Sequence, residues 1–505
     1  MRTFHEALEA VETYSPAEEQ FNARRRTVGI FLGPLLLIAL LIAPLPMPAP
    51  AHRLAAILAM VIVFWVTEAL PLAVTAMLGP VLAVVLRVSP VREAFAPFAD
   101  PVVFVFIGGF ILAEAMFVHG VDRRIAYTAL AQPFVGASAG RILVVYGAVA
   151  MVLSMWMSNT ATTAMMFPIG LSIVAHLAKA GGTGARHFAI VMMLITSFGA
   201  SIGGMGTPVG TPPNLIGVGM LERFTGIDIT FFQWMMVGVP AAIAMFAFVA
   251  VYFYVIGARG VRFTGESTQL VHEELRKLGP VSRGQRNVLV AFGITVALWI
   301  IPGLLALAGI DDAAFSQAYA AAIPESIAAM VGALLLFVLP VDWRARRFTM
   351  TWDQAVRIDW GIVLLYGGGL ALGGLAFTTG LAEALGKGIT SWLPAPGTVS
   401  LTILFTATAI VLSEATSNTA AANMIVPIAI AVAQASGIRP IEPALGATLG
   451  ASMGFMMPVS TPPNAIVYSS GFVPITAMMR YGIALDVAGF FVIVGVVLLL
   501  GPIVF

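Results

Sequence analysis

The sequence predicts an all-α, polytopic membrane protein assembled from two related halves. The chain has 505 residues, of which 59% are hydrophobic and only 10% are charged, whereas a soluble domain carries about 25% charged residues. Apolar runs close to the ~20 residues that a helix needs to cross a bilayer recur from end to end. Short polar motifs interrupt these runs at corresponding places in the two halves. The short alternating strands of a membrane β-barrel are missing from the sequence.

The composition also narrows the functional classes. The formal net charge is +1 and the chain has no Cys, so the sequence excludes disulfides, thiolate metal sites and Cys nucleophiles. No basic cluster is typical of a nucleic-acid site, and we expect no nucleic-acid partner. Residues 1–27 are polar and too long for the n-region of a signal peptide, which predicts a cytosolic tail ahead of an uncleaved first span.

Apolar segments predict the helices of the first half. They run over 28–45, 53–70, 71–86 and 101–118, over 142–157 and 161–177 around a Ser-Asn-Thr triplet, over 188–206 and 215–221 around a Thr-Pro-Pro-Asn motif, and over 231–256. The weaker segment 121–134 is amphipathic, which suits a helix lying at the membrane interface.

The second half repeats this plan after a charged segment, 259–286, which we interpret as a linker loop rather than a domain. Its apolar segments run over 288–308, 319–339 and 360–377, over 399–413 and 420–435 around a second Ser-Asn-Thr, over 445–458 and 465–472 around a second Thr-Pro-Pro-Asn, and over 483–505. Another amphipathic segment lies at 381–393.

Constant spacing between equivalent landmarks indicates an internal duplication. The triplets at Ser158–Thr160 and Ser417–Thr419 lie 259 positions apart, and the tetrapeptides at Thr211–Asn214 and Thr461–Asn464 lie 250 positions apart. We therefore divide the chain into a cytosolic tail (1–27), a first transmembrane helix outside the repeat (28–52), repeat 1 (53–257) with a re-entrant hairpin at 141–178, a cytosolic linker (258–286), and repeat 2 (287–505) with a re-entrant hairpin at 398–435.

Positive charge predicts the orientation of the chain. With the N-terminus in the cytosol and each Ser-Asn-Thr segment returning to its own side, the clusters at Arg24–Arg26, Arg123–Arg124, Arg259–Arg286 and Arg344–Arg347 all face the cytosol. Full spans at the triplets would place some of these clusters outside, so the positive-inside rule favours hairpins. Five spans per repeat then make the two halves inverted, as in many transporters.

The Ser-Asn-Thr triplets predict a binding site for ions. A helix broken at membrane depth must line a cavity or be buried in protein. At each triplet, the start of the second helical arm exposes N–H donors that suit an oxyanion, whereas carbonyl and Asn oxygens suit a small hard cation. In Thr-Pro-Pro-Asn, two prolines stop the helix and leave the preceding carbonyls free, including those of Gly210 and Ser460.

Charge balance indicates that a cation accompanies the anion. Between Ile142 and Ala178 the only basic side chain is His176, and between Gly388 and Ile438 there is none. Removing a carboxylate from water costs much free energy if only neutral donors replace its hydration. Symport with sodium would supply the missing positive charge. Hydroxyl, amide and carbonyl oxygens suit sodium better than they suit a proton relay.

Each motif also has a structural interpretation. A single Ser-Asn-Thr is more often a helix cap or an interhelical hydrogen bond, but four paired and duplicated elements favour a site. Glu414 is either a buried acid satisfied by neighbouring donors or a group that tunes the second cation site. Other acids are interpreted as structural anchors (Glu68, Glu114, Glu325) or helix caps (Asp100, Asp359).

The paired triplets, with Gly-Thr-Pro-Pro-Asn at 210–214 and Ser-Thr-Pro-Pro-Asn at 460–464, resemble the divalent anion/sodium symporter family over about 28–505. The resemblance implies an eleven-span protomer with two re-entrant hairpins. It also implies a homodimer in the lipid of a bacterial inner membrane, with elevator movement of a transport domain against a dimerising scaffold. Sodium would be the co-transported ion, with no organic cofactor, and the chain would not be an enzyme.

The resemblance assigns roles to motif residues one by one. The substrate-binding positions would be Ser158, Asn159, Thr160, Thr211, Ser417, Asn418, Thr419 and Thr461. The first sodium site would comprise Ser154, Ser158, Asn159 and Gly210. The second would comprise Ser413, Ser417, Asn418 and Ser460, and Ser460 departs from the small apolar residue often found there; because its carbonyl is the expected ligand, the departure matters little.

The leading interpretation is a sodium-driven carrier of C4-dicarboxylates such as succinate, malate and fumarate. A sodium-independent exchanger of dicarboxylates or tricarboxylates is the alternative, since exchangers share much of the motif set. Citrate and sulfate stay open as substrates. A channel or a structural membrane protein is a further class, which saturable, trans-stimulated flux would exclude. A membrane enzyme has no supporting cluster of His, Asp and Glu with metal spacing.

Overall fold

Helices make up nearly all of the structure, as the sequence predicts. A computed structural model describes residues 16–136, 138–179, 185–259, 261, 265–310, 313–391 and 396–505. Within these ranges, ten helices are long and apolar enough to cross a membrane, or eleven if one bent pair counts as a single span. The predicted class of all-α polytopic membrane protein is confirmed.

Among the described residues, the first half contains eleven α-helices with a short 3₁₀ turn and a π turn. In chain order the helices are α1 Pro16–Ile42, α2 Ala49–Thr67, α3 Leu72–Val85, α4 Val91–Phe95, α5 Pro101–His119, α6 Val121–Leu130, α7 Ala139–Ser154, α8 Asn159–Lys179, α9 Ala185–Gly204, α10 Pro212–Thr225 and α11 Phe231–Phe253. The 3₁₀ turn spans Ala96–Ala99 and the π turn Tyr254–Ala258. Helix α1 begins inside the segment predicted as a tail.

In the part of the second half that the structure describes, there are twelve α-helices and one small hairpin of strands. The helices are α12 Gly265–Lys277, α13 Arg283–Leu307, α14 Ala314–Ala322, α15 Glu325–Val338, α16 Trp352–Ala355, α17 Trp360–Thr378, α18 Leu381–Thr390, α19 Thr398–Ala415, α20 Asn418–Ala435, α21 Ile441–Gly450, α22 Pro462–Tyr468 and α23 Ile475–Val504. Strands β1 Pro340–Asp342 and β2 Arg347–Phe348 pair antiparallel.

Three further features differ from the sequence prediction. The segment expected as one span at 319–339 is two helices, α14 and α15, bent by 59°, because Pro324 has no N–H and forces Ile323 out of the helical region (φ −130°, ψ 60°). The segment expected at 445–458 leaves the helix at Gly450. The linker predicted as a loop contains helix α12.

Small residues allow α5, α13 and α15 to pack closely together. Leu112, Ala291 and Ala333 belong to their shared apolar core. Gly108 on α5 faces the backbone of Ala329 on α15, and a methyl group at Gly108 would lie 2.6 Å from the Ala329 carbonyl carbon. Close helix contact therefore explains this glycine, in agreement with the role of small residues at membrane helix interfaces.

The two Ser-Asn-Thr segments lie between pairs of helices that pack side by side. In the first pair, Tyr146 on α7 donates a 2.7 Å hydrogen bond to the Met166 carbonyl on α8, so the chain folds back on itself after the triplet. Helices α19 and α20 pack against each other in the same way, across the two-residue connection Thr416–Ser417.

The halves are joined by an exchange of helices. Helix α10, which follows the first Thr-Pro-Pro-Asn, packs against α20 and α21 of the second half. Helix α22, which follows the second motif, packs against α8 and α9 of the first half. Each short helix after a Thr-Pro-Pro-Asn therefore connects its own half to the hairpin of the other half.

We expect Gly108→Ala to lower the melting temperature of the purified protein by several degrees, because the added methyl group meets backbone rather than a movable side chain. Gly293→Ala on α13 is the matched control, since no atom lies within 4 Å of a methyl group there. Alanine favours a helix by roughly 1 kcal/mol over glycine, so the control should melt at the same temperature or higher. Equal melting of the two variants would contradict the packing described for α5 and α15.

Candidate functional site

One cavity of about 400 Å³ collects all eight residues that the sequence predicts to bind substrate. The first half contributes Ser158, Asn159, Thr160 and Thr211, and the second half contributes Ser417, Asn418, Thr419 and Thr461. The remaining wall comes from Pro212, Pro462 and Pro463 of the tetrapeptides, from Ser460, from the start of α3 and from the start of α17. Residues more than 250 positions apart in sequence therefore face a common space.

Among the described residues, six helices begin at this cavity, and four of them follow the repeated motifs. Thr211 and Thr461 precede α10 and α22 with nearly identical extended backbones, φ −147°, ψ 143° and φ −146°, ψ 145°. Ser417 precedes α20, and Ser158, at the start of α8, accepts the N–H of Ala161 at 3.2 Å. The N-terminal ends of α8 and α20 supply N–H donors and positive dipole ends, an arrangement that favours an anion.

The two predicted cation sites have the same internal bonding. The Ser154 hydroxyl donates to Asn159 Oδ1 at 2.8 Å, and the Ser413 hydroxyl donates to Asn418 Oδ1 at 2.7 Å. Ser413 also lies 2.7 Å from the Ala451 carbonyl oxygen. Each half therefore links the last turn of the first arm to the first residue of the second arm through the serine–asparagine pair.

The remaining predicted cation ligands lie next to these pairs. A methyl group built on Gly210 would lie 3.0 Å from the Ser154 carbonyl oxygen. In the second half, a methyl group built on Gly454 would meet both Asn418 Oδ1, at 2.9 Å, and the Ser460 side chain, at 3.3 Å. Each cluster contains hydroxyl, amide and carbonyl oxygens, which are the ligands of hard cations.

The last residue of each Thr-Pro-Pro-Asn fixes the non-helical backbone, a role that the sequence analysis missed. Asn214 Nδ2 donates to the carbonyl oxygens of Gly204 and Thr207 at 2.9 and 2.7 Å. Asn464 Nδ2 donates to those of Gly454 and Met457 at 2.9 and 3.1 Å. The sequence did contain a signal for this role, because both copies of the motif end in asparagine. A helix break caused by the two prolines alone would not require that residue.

The cavity residues of each repeat form one half-site: 158–160 and 211 in the first, and 417–419, 460 and 461 in the second. An acid, Glu414, lies beside the second half-site, and the first half-site has no equivalent. Glu414 Oε2 lies 2.9 Å from the Ser460 hydroxyl, and Glu414 Oε1 accepts the N–H groups of Phe455 and Met456. At the corresponding offsets the first half has Met155 and Gly210. Neighbouring donors thus satisfy Glu414, as one of the two interpretations of this residue expects.

No Lys, Arg or His of the described chain lines the cavity. The only charged side chain on its wall, within the same residues, is Asp359, whose carboxylate accepts the Ile362 N–H at 3.2 Å and caps α17. Asp100 caps α5 in the same way through Val102 at 3.0 Å. The cavity therefore offers neutral donors and helix ends, and its net side-chain charge does not favour an anion.

Two acids outside the cavity, Glu68 and Glu325, have structural partners. Glu68 pairs with Arg25 at 2.8 Å and joins the end of α2 to α1. Glu325 accepts the N–H of Phe231, and its carbonyl oxygen accepts the Trp299 indole N–H at 3.0 Å. Both contacts agree with the interpretation of these acids as structural anchors. No group of three or more His, Asp or Glu suited to a metal ion occurs among the described residues.

Comparison with solved structures places the fold among membrane transporters. The chain superposes on the YdaH transporter of Alcanivorax borkumensis with a TM-score of 0.54 at 12% identity, covering 90% of this chain and 99% of that one. It superposes on MtrF of Neisseria gonorrhoeae, described as belonging to a class of antimetabolite efflux pumps, with a TM-score of 0.53 at 14% identity, covering 98% and 97%. At these identities the likeness concerns the fold alone.

Two relatives found by sequence are more similar to this chain than those solved structures are. The sodium-dependent dicarboxylate transporter SdcS of Staphylococcus saprophyticus is 32% identical over 484 residues, covering 94% of this chain and 91% of that protein. The SdcS protein of Staphylococcus aureus strain USA300 is 31% identical over 499 residues, covering 97% and 94%.

The family comparison agrees with the motifs. Residues 26–505 match the model of the sodium:sulfate symporter transmembrane region. The match covers nearly the whole chain, including both hairpins and both tetrapeptides, and it confirms the resemblance stated from the sequence. The chain belongs to the divalent anion/sodium symporter family and is a multi-pass membrane transporter, not an enzyme.

Proposed function

We propose that this protein is a secondary active transporter that couples the uptake of C4-dicarboxylates, such as succinate, malate and fumarate, to sodium. The observation that carries the proposal is the meeting of two similar oxygen-rich hairpin tips at one cavity that no Lys, Arg or His of the described residues lines. The names of the relatives, sodium-dependent dicarboxylate transporters, agree with this chemistry.

Two half-sites suit a substrate with two carboxylates. One carboxylate would accept hydrogen bonds from Ser158, Asn159 and Thr160 at the start of α8. The other would accept them from Ser417, Asn418 and Thr419 at the start of α20. Thr211 and Thr461 add one hydroxyl each. Neutral donors alone compensate poorly for the lost hydration of a dianion, so the substrate binds weakly until positive charge is present.

Sodium supplies that charge from within the wall of the cavity. The proposed ligands are Ser154, Ser158, Asn159 and Gly210 in the first site. In the second site they are Ser413, Ser417, Asn418 and Ser460. Asn159 and Asn418 belong to both an ion site and the substrate site, so each asparagine can offer its oxygen to sodium and its N–H₂ group to the substrate. The binding of ion and substrate is therefore coupled.

We infer an elevator mechanism within a homodimer. Helices α7–α11 and α19–α23 pack against one another, and α5, α13 and α15 share an apolar core that also includes Met157 beside the first triplet. The first group would move as one body that carries the substrate past the second. The proposed setting is the bacterial inner membrane, with the N-terminus in the cytosol.

A sodium-independent exchanger is the second candidate, because the same donors would bind a dicarboxylate or tricarboxylate in both mechanisms. The family description names sulfate, and a smaller dianion would need only one donor set. Citrate would need room for a third carboxylate. The experiments below separate these candidates.

We expect Asn159→Ala and Asn418→Ala each to reduce sodium-driven succinate uptake by at least tenfold in proteoliposomes. Each variant loses a cation ligand and a buried hydrogen bond, and a buried group left without its partner costs about 1–3 kcal/mol. Asn423→Ala is the control, since it removes another buried amide from α20 whose side chain does not line the cavity and, among the described residues, donates only to the Thr419 carbonyl oxygen within the helix. Wild-type flux in either motif variant would exclude the two-half-site arrangement.

Sodium should raise the affinity for succinate, and succinate should raise the affinity for sodium by the same factor. This reciprocity is required whenever two ligands favour one state, and coupling factors of roughly 5–150 are typical. Thermal-shift titrations of the purified protein measure both directions. If lithium, potassium and sodium stabilise the protein equally, sodium coupling is wrong and the exchanger becomes the better interpretation.

Opposite labelling of two introduced cysteines should test the orientation. The chain has no native Cys, so Ser436→Cys and Lys277→Cys can be labelled without background by a membrane-impermeant maleimide. Ser436, between the second hairpin and α21, should react from outside intact cells, and Lys277 on α12 only after lysis. Gly182, in the loop predicted to be cytosolic after the first hairpin, lies outside the described residues. Labelling of both cysteines from outside would contradict the inverted repeat.

A further inference from the structure

Two buried acids meet beside the second half-site. Glu414 near the end of α19 is 8% exposed, and Asp486 on α23 is 7% exposed. Asp486 lies one turn after Gly482, on a helix that packs against the backbone of Phe455 and Met456, whose N–H groups bind Glu414. Neither acid forms an ion pair with a Lys, Arg or His among the described residues. Two adjacent carboxylates at this depth would be costly without a positive charge between them.

The two acids differ in their hydrogen bonds. Glu414 accepts the N–H groups of Phe455 and Met456, the latter at 2.9 Å, and faces the Ser460 hydroxyl. These three donors favour its charged form. Neither oxygen of Asp486 accepts a hydrogen bond from any described residue. The carboxyl group of Asp486 is therefore more than nine-tenths buried and has no hydrogen-bond donor among the described residues, whereas the neighbouring carboxylate of Glu414 already has three.

Neighbouring elements do not supply the missing charge. Of the helices packed against α19 and α23, α20 carries no titratable group, α11 carries Tyr252 and α21 carries Glu442. Glu442 lies near Gly501 at the other end of α23 and pairs with Arg439 at 3.5 Å. On α23 itself, Arg480 and Tyr481 line a separate pocket that includes Arg186 and His187.

The backbone around the pair is held in place. A methyl group built on Gly482, one turn before Asp486, would lie 2.6 Å from the backbone of Phe455 and Met456. This contact presses α23 onto the same non-helical segment whose N–H groups hold Glu414. Ser460 belongs to that segment and also lines the cavity, so it connects the acid pair to the second half-site.

We propose that Glu414 and Asp486 bind a further sodium ion, separate from the two ions at the hairpin tips. Its proposed ligands are both carboxylate oxygens of Asp486, Oε2 of Glu414 and the hydroxyl oxygen of Ser460. When the ion binds, the Ser460 hydroxyl rotates so that its proton no longer points at Glu414. Because Ser460 lines the cavity, this rotation changes the hydrogen-bonding groups that the second half-site offers to the substrate. This inference rests on the proposed sodium coupling and adds one ion to it.

Equilibrium binding of radioactive sodium to the purified full-length protein tests the proposal. At saturating sodium and fixed pH, Asp486→Asn and Glu414→Gln should each bind one ion per protomer fewer than the wild type. Glu442→Gln is the matched control, because it removes a buried acid that packs against α23 far from the pair, and it should bind as many ions as the wild type. The sodium dependence of the melting temperature, measured without substrate, gives a second reading that should become shallower in the two variants.

The outcomes separate this inference from the proposed function. An unchanged ion count in both variants overturns the further site and leaves sodium coupling standing. If the count is unchanged but the pH dependence of uptake shifts in Asp486→Asn, the pair holds a proton and the sodium proposal is overturned. A wild-type protein that binds no sodium contradicts the proposed function itself. If Asp486→Asn does not yield a monodisperse protein, the count for Glu414→Gln decides.

Discussion

A cavity without a cationic side chain is the constraint on which the rest of the structure depends. Within the described residues, its wall offers hydroxyls, amides, prolines and the starts of six helices, and its only charged group is the carboxylate of Asp359. Such a wall cannot compensate for a dianion by ion pairing. Compensation has to come from helix ends and from ions that enter with the substrate. We propose that those ions bind at the serine–asparagine pairs of both hairpins.

This constraint explains why the helices break where they do. Helix ends at membrane depth expose backbone groups that lipid cannot satisfy. The prolines after Thr211 and Thr461 occupy the first helical positions, where an N–H would have no partner in any case. Asn214 and Asn464 then hold the preceding carbonyls in place. Helix α10, after the first break, packs against the second half, and helix α22, after the second break, packs against the first half. Each half therefore holds in place the helix that follows the break in the other half.

The repeated polar motifs could be predicted to form one site because they interrupt otherwise apolar segments at constant spacing. The structure brings all eight predicted substrate residues to one cavity. The bend between α14 and α15 was missed because Pro324 lies inside a continuous apolar run, and hydropathy does not register the loss of one N–H. Asp486 was missed because a single acid in a long apolar helix has no local pattern. Its significance comes only from Glu414, which is 72 positions earlier in the chain.

The role assigned to sodium is tested most directly by accumulation against a gradient. Proteoliposomes containing the purified protein would be given external succinate, with sodium outside only, with equal sodium on both sides, or with no sodium but internal succinate. The account predicts that an inward sodium gradient drives succinate above its external concentration, and that equal sodium gives only equilibration. Uptake that requires internal succinate and ignores sodium would contradict the account and identify an exchanger.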